Sequence, residues 1–104
     1  MSRMTIEHRF QIAREDARAR LVALGEYLTN RHKILVTWDG DRASVKGKYM
    51  VVTVEGSMLL GEDRVTFDGK DPGFLWRGKA KDYITKKLEK YLDPALPLEE
   101  LPRR

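Results

Sequence analysis

Hydrolytic chemistry would begin with a serine on a tight elbow, written Gly-x-Ser-x-Gly, with a histidine and an acid in reach. The only serines are Ser2, Ser44 and Ser57. The stretch Glu55-Gly56-Ser57-Met58-Leu59 lacks the elbow pattern and is better explained by turn chemistry. A metal site needs several ligands converging at a set spacing. The two histidines stand alone: His8 falls on the apolar face of a strand and His32 at a helix-to-strand turn. Glu62-Asp63 with Asp68 and Asp71 has neither the alternating ligands nor the central glycine of a calcium loop, and reads as turn residues. Gly61, Gly69, Gly73 and Gly78 do not assemble a phosphate loop or a dinucleotide fingerprint. The chain is therefore expected to be no enzyme and to need no cofactor or metal.

Two features stand out against that background. Arg77, Lys79, Lys81, Lys86, Lys87 and Lys90 face only Asp82 and Glu89, so this segment carries an excess equal to the whole chain's +4. Lys79, Lys86, Lys87 and Lys90 would project from the side opposite Ala80, Ile84 and Leu88. Such a face either keeps the protein soluble or attracts an anionic partner: nucleic acid, an acidic protein or an anionic lipid surface. Nucleic acid is the weakest of these, because no stacking platform or recognised motif accompanies the charge. The second feature is Phe74-Leu75-Trp76, directly after Pro72-Gly73. Three large apolar residues there either dock a helix start onto a sheet or rim a partner surface.

These residues need elements to position them. Met4, Ile6, His8 and Phe10 alternate with polar neighbours, the period of a half-buried strand. From Ile12 the period changes: Ala13, Ala17, Leu21, Leu24 and Leu28 form one helical stripe, with Arg14, Arg18, Arg20 and Glu26 mostly off it. Gly25 within that helix implies close packing against another element, and Asn30 is a plausible left-handed stop. Ile34, Val36 and Trp38 mark a second strand, and Asp39-Gly40 a hairpin into Ala43 and Val45. Tyr49 to Val54 reads as a further strand, Glu55-Gly56 as a turn or bulge, and Ser57 to Leu60 as extended again. Val65 and Phe67 share a face on the last strand, followed by a loop over Asp68 to Gly73. The second helix begins near Leu75 or Arg77 and ends at Leu92, before Asp93-Pro94. Its stripe is Trp76, Ala80, Ile84, Leu88 and Tyr91.

The fold expected is α+β: a two-layer sandwich, an antiparallel sheet of four to five strands with two helices on one face. Residues 1–93 form this single domain, and 94–104 a proline-rich tail whose Leu96, Leu98 and Leu101 could touch the body. At 104 residues there is room for one core and no second domain. The absence of cysteine excludes disulfides and thiolate chemistry and fits a cytoplasmic protein. The longest apolar run, Tyr49 to Val54, is far short of the roughly 20 residues of a membrane span. Met1 to Arg9 is charged and alternating, unlike a secretory signal.

One set of residues carries a family likeness. It comprises Met4-Thr5-Ile6, Arg14-Glu15-Asp16-Ala17-Arg18, Trp38 with Gly40-Asp41, Val54-Glu55-Gly56, Glu62-Asp63-Arg64-Val65, Gly73-Phe74-Leu75 with Lys81, and Tyr83-Ile84 to Tyr91-Leu92-Asp93. Together they resemble the polyhydroxyalkanoic acid system family, small bacterial proteins named for a gene neighbourhood near polyester-granule genes. The resemblance implies a role in polyester storage but no activity for particular residues. A polyester synthase would need a nucleophilic cysteine and a serine-type depolymerase the elbow, and both are missing. The role implied is an accessory one, through Phe74, Leu75, Trp76, Arg77, Lys79, Lys86, Lys87 and Lys90, towards the granule surface or a granule-associated protein. The rival reading is a small apolar-ligand carrier of shortened helix-grip type, with a cavity under Ile84 and Leu88. Electrostatic nucleic-acid binding through the basic helix is weaker still, and a sheet edge could pair two copies into a homodimer.

Overall fold

The computed structural model describes residues 3–49 and 51–104; Met1, Ser2 and Met50, which entered the sequence reading, lie outside them. Strand β1 (Arg3–Arg9) leads into helix α1 (Arg14–His32). Strands β2 (Leu35–Asp39), β3 (Arg42–Tyr49), β4 (Val52–Leu60) and β5 (Arg64–Lys70) form a meander, and helix α2 (Phe74–Tyr91) follows. The sheet is antiparallel throughout, in the order β1-β5-β4-β3-β2, so α1 carries the chain from one edge strand to the other. The expected α+β sandwich is present, with five strands and two helices.

Alternation places Met4 and Ile6, Ala43 and Val45, Met58 and Leu60, and Val65 and Phe67 in one buried layer beneath the helices. Ala17, Leu21 and Leu24 of α1 close over it, whereas Ala13 is exposed at the helix start. Gly25 fulfils its expected role: a Cβ there would stand 3.1 Å from the Val36 side chain, tighter than ordinary contact, so any larger residue would make the Val36 side chain give way.

Four local expectations are corrected. The helix does not stop at Asn30 but continues to His32, and Lys33 takes the left-handed conformation (φ 62°) with its N–H returned to the Thr29 carbonyl. The Thr29 hydroxyl donates to the Ile34 carbonyl and secures that exit. The strand expected over Tyr49 to Val54 is instead the end of a long hairpin, reversing between Tyr49 and Val52. Glu55-Gly56 is neither turn nor bulge: β4 runs through it, with Gly56 opposite Val45 on one side and Gly69 on the other. A Cβ at Gly56 would lie 2.7 Å from the Asp68 carbonyl oxygen, and one at Gly69 2.9 Å from the Phe67 ring. The glycine pair thus makes room for that ring to fold over the sheet. Finally, β5 extends to Lys70 where a loop was expected, because Arg3 and Met4 of β1 pair with Lys70 and Gly69.

Arg20 is the largest departure. It was placed off the apolar stripe, yet it is 5% exposed. Its Nη1 donates to the carbonyls of Tyr91 (3.2 Å) and Asp93 (2.9 Å), and its Nε to Asp16 Oδ1 (3.1 Å). The last carbonyls of a helix lack partners inside it, and a guanidinium offers a fixed fork of donors to satisfy them. Arg20 therefore clamps the C-terminal end of α2 onto α1. Arg14 and Arg18 act likewise at other junctions, donating to the Leu60 and Gly61 carbonyls and to the Gly40 carbonyl respectively.

Beyond α2, residues 94–104 hold one short 3-10 turn, Leu98–Glu100. Leu101 is buried, Leu96 and Leu98 pack against the core, and the Tyr91 hydroxyl donates to the Pro102 carbonyl. Asn30 and Glu26 of α1 meet Arg103. The segment is irregular but laid on the body over the clamped helix end.

An Arg20→Ala variant is expected to lose about 3 kcal/mol of unfolding free energy, since the buried Tyr91 carbonyl, the part-buried Asp93 carbonyl and Asp16 all lose a charged donor. Arg20→Lys should recover only part, because one ammonium cannot reproduce the fork. Urea denaturation followed by circular dichroism measures both. A loss within the ±0.5 kcal/mol typical of surface substitutions would show that the clamp is dispensable.

Candidate functional site

The buried residues of α2 all belong to its C-terminal end: Leu88 and Tyr91 are inaccessible, while nothing between Phe74 and Lys87 is fully buried. The helix is buried at its C-terminal end, while Ala80 and Ile84 further forward reach the core only in part. The space left is a cavity of about 380 Å³, within the range of small-ligand sites. Val45, Val54, Met58 and Phe67 of the sheet form its floor, and Trp76, Ala80, Ile84 and Leu88 its roof. Leu24, Leu28 and Ile34 close the side towards α1. The space under Ile84 and Leu88 is therefore not filled by side chains.

One end of the cavity is polar. His32, Tyr49, Tyr83 and Lys87 all line it, drawn from α1, β3 and α2. His32 Nε2 and the Tyr83 hydroxyl are 3.0 Å apart in a hydrogen bond. The His32 ring meets those of Tyr27, Tyr49 and Tyr83 edge-on at centroid distances of 5.9, 4.7 and 6.0 Å. The Lys87 ammonium sits 4.4 Å from the Tyr27 ring centroid and 5.5 Å from that of Tyr83, within cation–π range. Desolvation, followed by the nearby Arg31 and Lys87 charges, lowers the His32 pKa below its ordinary 6.5. Burial pushes the Tyr83 phenol up to about 12. His32 is therefore neutral and Tyr83 protonated at pH 7.

The expected partner surface divides into three parts. Phe74 and Leu75 are 80% and 74% exposed on the first turn of α2, so they do not dock the helix onto the sheet. Pro72 and the left-handed Gly73 (φ 99°) turn the chain before these residues reach the core. Trp76 is half-buried and lines the cavity. Arg77 pairs with Asp71, whose Oδ1 also accepts from the Gly73 N–H; the Arg77 hydrogen bond first, then Gly73, holds that carboxyl below its usual range. Lys86 pairs with Asp82 one turn earlier, and Lys90 is exposed. Lys79 and Lys87 do not project opposite Ala80 and Ile84; both line the cavity with them. Lys87 is three residues beyond Ile84 and four beyond Tyr83, which sets it inside the apolar stripe. Its long stem covers apolar surface while the ammonium stays at the edge.

His32 is the functional candidate that sequence reasoning missed. Its partners lie 17 and 51 residues away at Tyr49 and Tyr83, and only the folded sheet brings them together. The spacing of Lys87 from Tyr83 and Ile84 was a usable signal for the rest of the cluster. Among the described residues no group of three His, Asp or Glu could hold a metal ion, and no helix is long and apolar enough to cross a membrane.

A lowered histidine pKa makes stability fall with acid. Below about pH 6.5 the unfolded chain takes up a proton at position 32 that the folded state resists. The contribution is complete above 6.5 and is lost as pH drops through the lower folded value. Urea denaturation at pH 7.5 and pH 5 should show a smaller decline for His32→Gln than for wild type. An equal decline in the two proteins would place the pH dependence elsewhere.

No curated protein and no solved structure matches the chain. A family model described as "Putative polyhydroxyalkanoic acid system protein" matches residues 4–96. That match spans both helices, β1 from its second residue, the other four strands and every residue that lines the cavity. The chain belongs to the polyhydroxyalkanoic acid system family.

Proposed function

We propose that this protein is a non-enzymatic binding protein that takes the apolar chain of a small ligand into the cavity beneath α2. The observation that carries this reading is the cavity itself, about 380 Å³, lined mainly by aliphatic and aromatic side chains between α2 and the sheet and open to solvent on one side. A water-accessible space so lined gains free energy when apolar surface fills it. The lack of cysteine and of a serine elbow supports binding over making or cutting a polymer. The family's link to the polyhydroxyalkanoic acid system supports a ligand of acyl type, since the precursors of such polyesters carry acyl chains.

Isothermal titration with hexanol, octanol and decanol tests the reading. Each buried methylene is worth about 0.8 kcal/mol, so affinity should climb steeply along the series. Ala80→Trp, which fills the cavity from its roof, should abolish binding while the protein stays folded. A flat series, or binding that survives Ala80→Trp, would remove the cavity as the site.

A second reading rests on Phe74 and Leu75, two adjacent apolar side chains left in solvent beside Arg77 and Lys79. Placed at the tip of α2, they suit insertion into the surface of a polyester granule in the cytoplasm. Wild type should co-sediment with purified granules, and Phe74→Ser/Leu75→Ser should remain in the supernatant. Equal recovery of the two proteins in the pellet, or absence of both, would end this reading.

A further inference from the structure

We infer that the cavity's ligand is an anionic amphiphile, with an acyl chain under α2 and a carboxylate at Lys87. The inference rests on the cavity reading above and adds the chemistry of the ligand's polar end. Two lysines, Lys79 and Lys87, line the cavity and no acidic residue does. Neither lysine forms an ion pair among the described residues; on the same helix Arg77 and Lys86 are paired, and the unpaired Lys81 and Lys90 are exposed and do not line the cavity. The site thus holds positive charge that the fold leaves uncompensated beside an apolar interior. A ligand that matches both must carry a chain and a negative head.

The two lysines are not equivalent. Lys79 is exposed, and solvent and salt screen its charge. Lys87 is half-buried between the Tyr27 and Tyr83 rings, where a charge-assisted hydrogen bond is stronger. The hydrogen-bonded pair of Tyr83 and His32 stands beside it, and both groups are uncharged at neutral pH. One ammonium among neutral hydrogen-bonding side chains suits a single carboxylate. A cation at this position would meet Lys87 and Arg31 and be repelled.

The test compares decanoate, decanol and decyltrimethylammonium by isothermal titration at low salt and neutral pH. Decanoate is expected to bind at least tenfold more tightly than decanol, and the ammonium amphiphile more weakly than both. In Lys87→Met, which keeps the apolar stem, the decanoate advantage should vanish while decanol affinity is unchanged. Lys79→Met should keep most of that advantage. Equal binding of decanoate and decanol to wild type, or an advantage that persists in Lys87→Met, would overturn the assignment of the head group and leave the cavity reading intact. Binding of none of the three would overturn the cavity reading and this inference with it.

Discussion

One buried guanidinium organises the helical layer. Arg20 satisfies the carbonyls with which α2 ends, and it does so from α1, which is itself fixed to β2 by the Gly25–Val36 approach. The position of α2 is therefore set at its C-terminal end, where Leu88, Tyr91 and Leu92 enter the core and the final residues close over them. The N-terminal half has weaker ties: the Arg77–Asp71 pair and the partly buried Trp76, Ala80 and Ile84. Ala80 and Ile84 pack against the core only in part, and a space remains between this half of the helix and the sheet. The cavity is in this sense a product of where the anchor sits.

The sheet contributes its own part. Glycines at 56 and 69 face each other across β4 and β5, and the Phe67 ring lies over the gap they leave. Larger residues at those positions would lift the ring into the space that the standing helix creates. Floor and roof are shaped separately, one by missing side chains and the other by the helix's stronger hold at its C-terminal end, and both contribute to the apolar volume between them.

Much of the architecture was legible in the order of residues, because strand and helix periods write burial directly into the chain. Met4 and Ile6, Ala43 and Val45, and Val65 and Phe67 lie inside where alternation placed them. The failures share a cause: a residue whose role depends on a distant partner carries no local mark. Arg20 looks like any solvent-facing arginine until Tyr91 and Asp93 arrive beside it. Gly56 looks like a turn because a glycine that admits a neighbour's ring is indistinguishable from one that bends the chain. The reversal after Tyr49 was invisible for the opposite reason, since the run of β-branched residues from Val51 to Val54 continues straight on from Tyr49 with no turn residue between and mimics one unbroken strand. Of the candidate site, the apolar stripe of α2 and its lysines were readable, but the grouping of His32 with Tyr49 and Tyr83 exists only across strands and helices.

An attachment strongest at one end also sets how the molecule breathes. Local openings in a native protein involve segments with few buried contacts and leave the rest folded. The first turns of α2, from Phe74 to about Lys81, have no buried side chain and no side-chain cap at their start. They can fray at a cost well below that of global unfolding, while the turns near Tyr91 open only when the whole domain does. The open side of the cavity would then widen as the helix start frays, with amide protection rising along α2 towards the end that Arg20 holds.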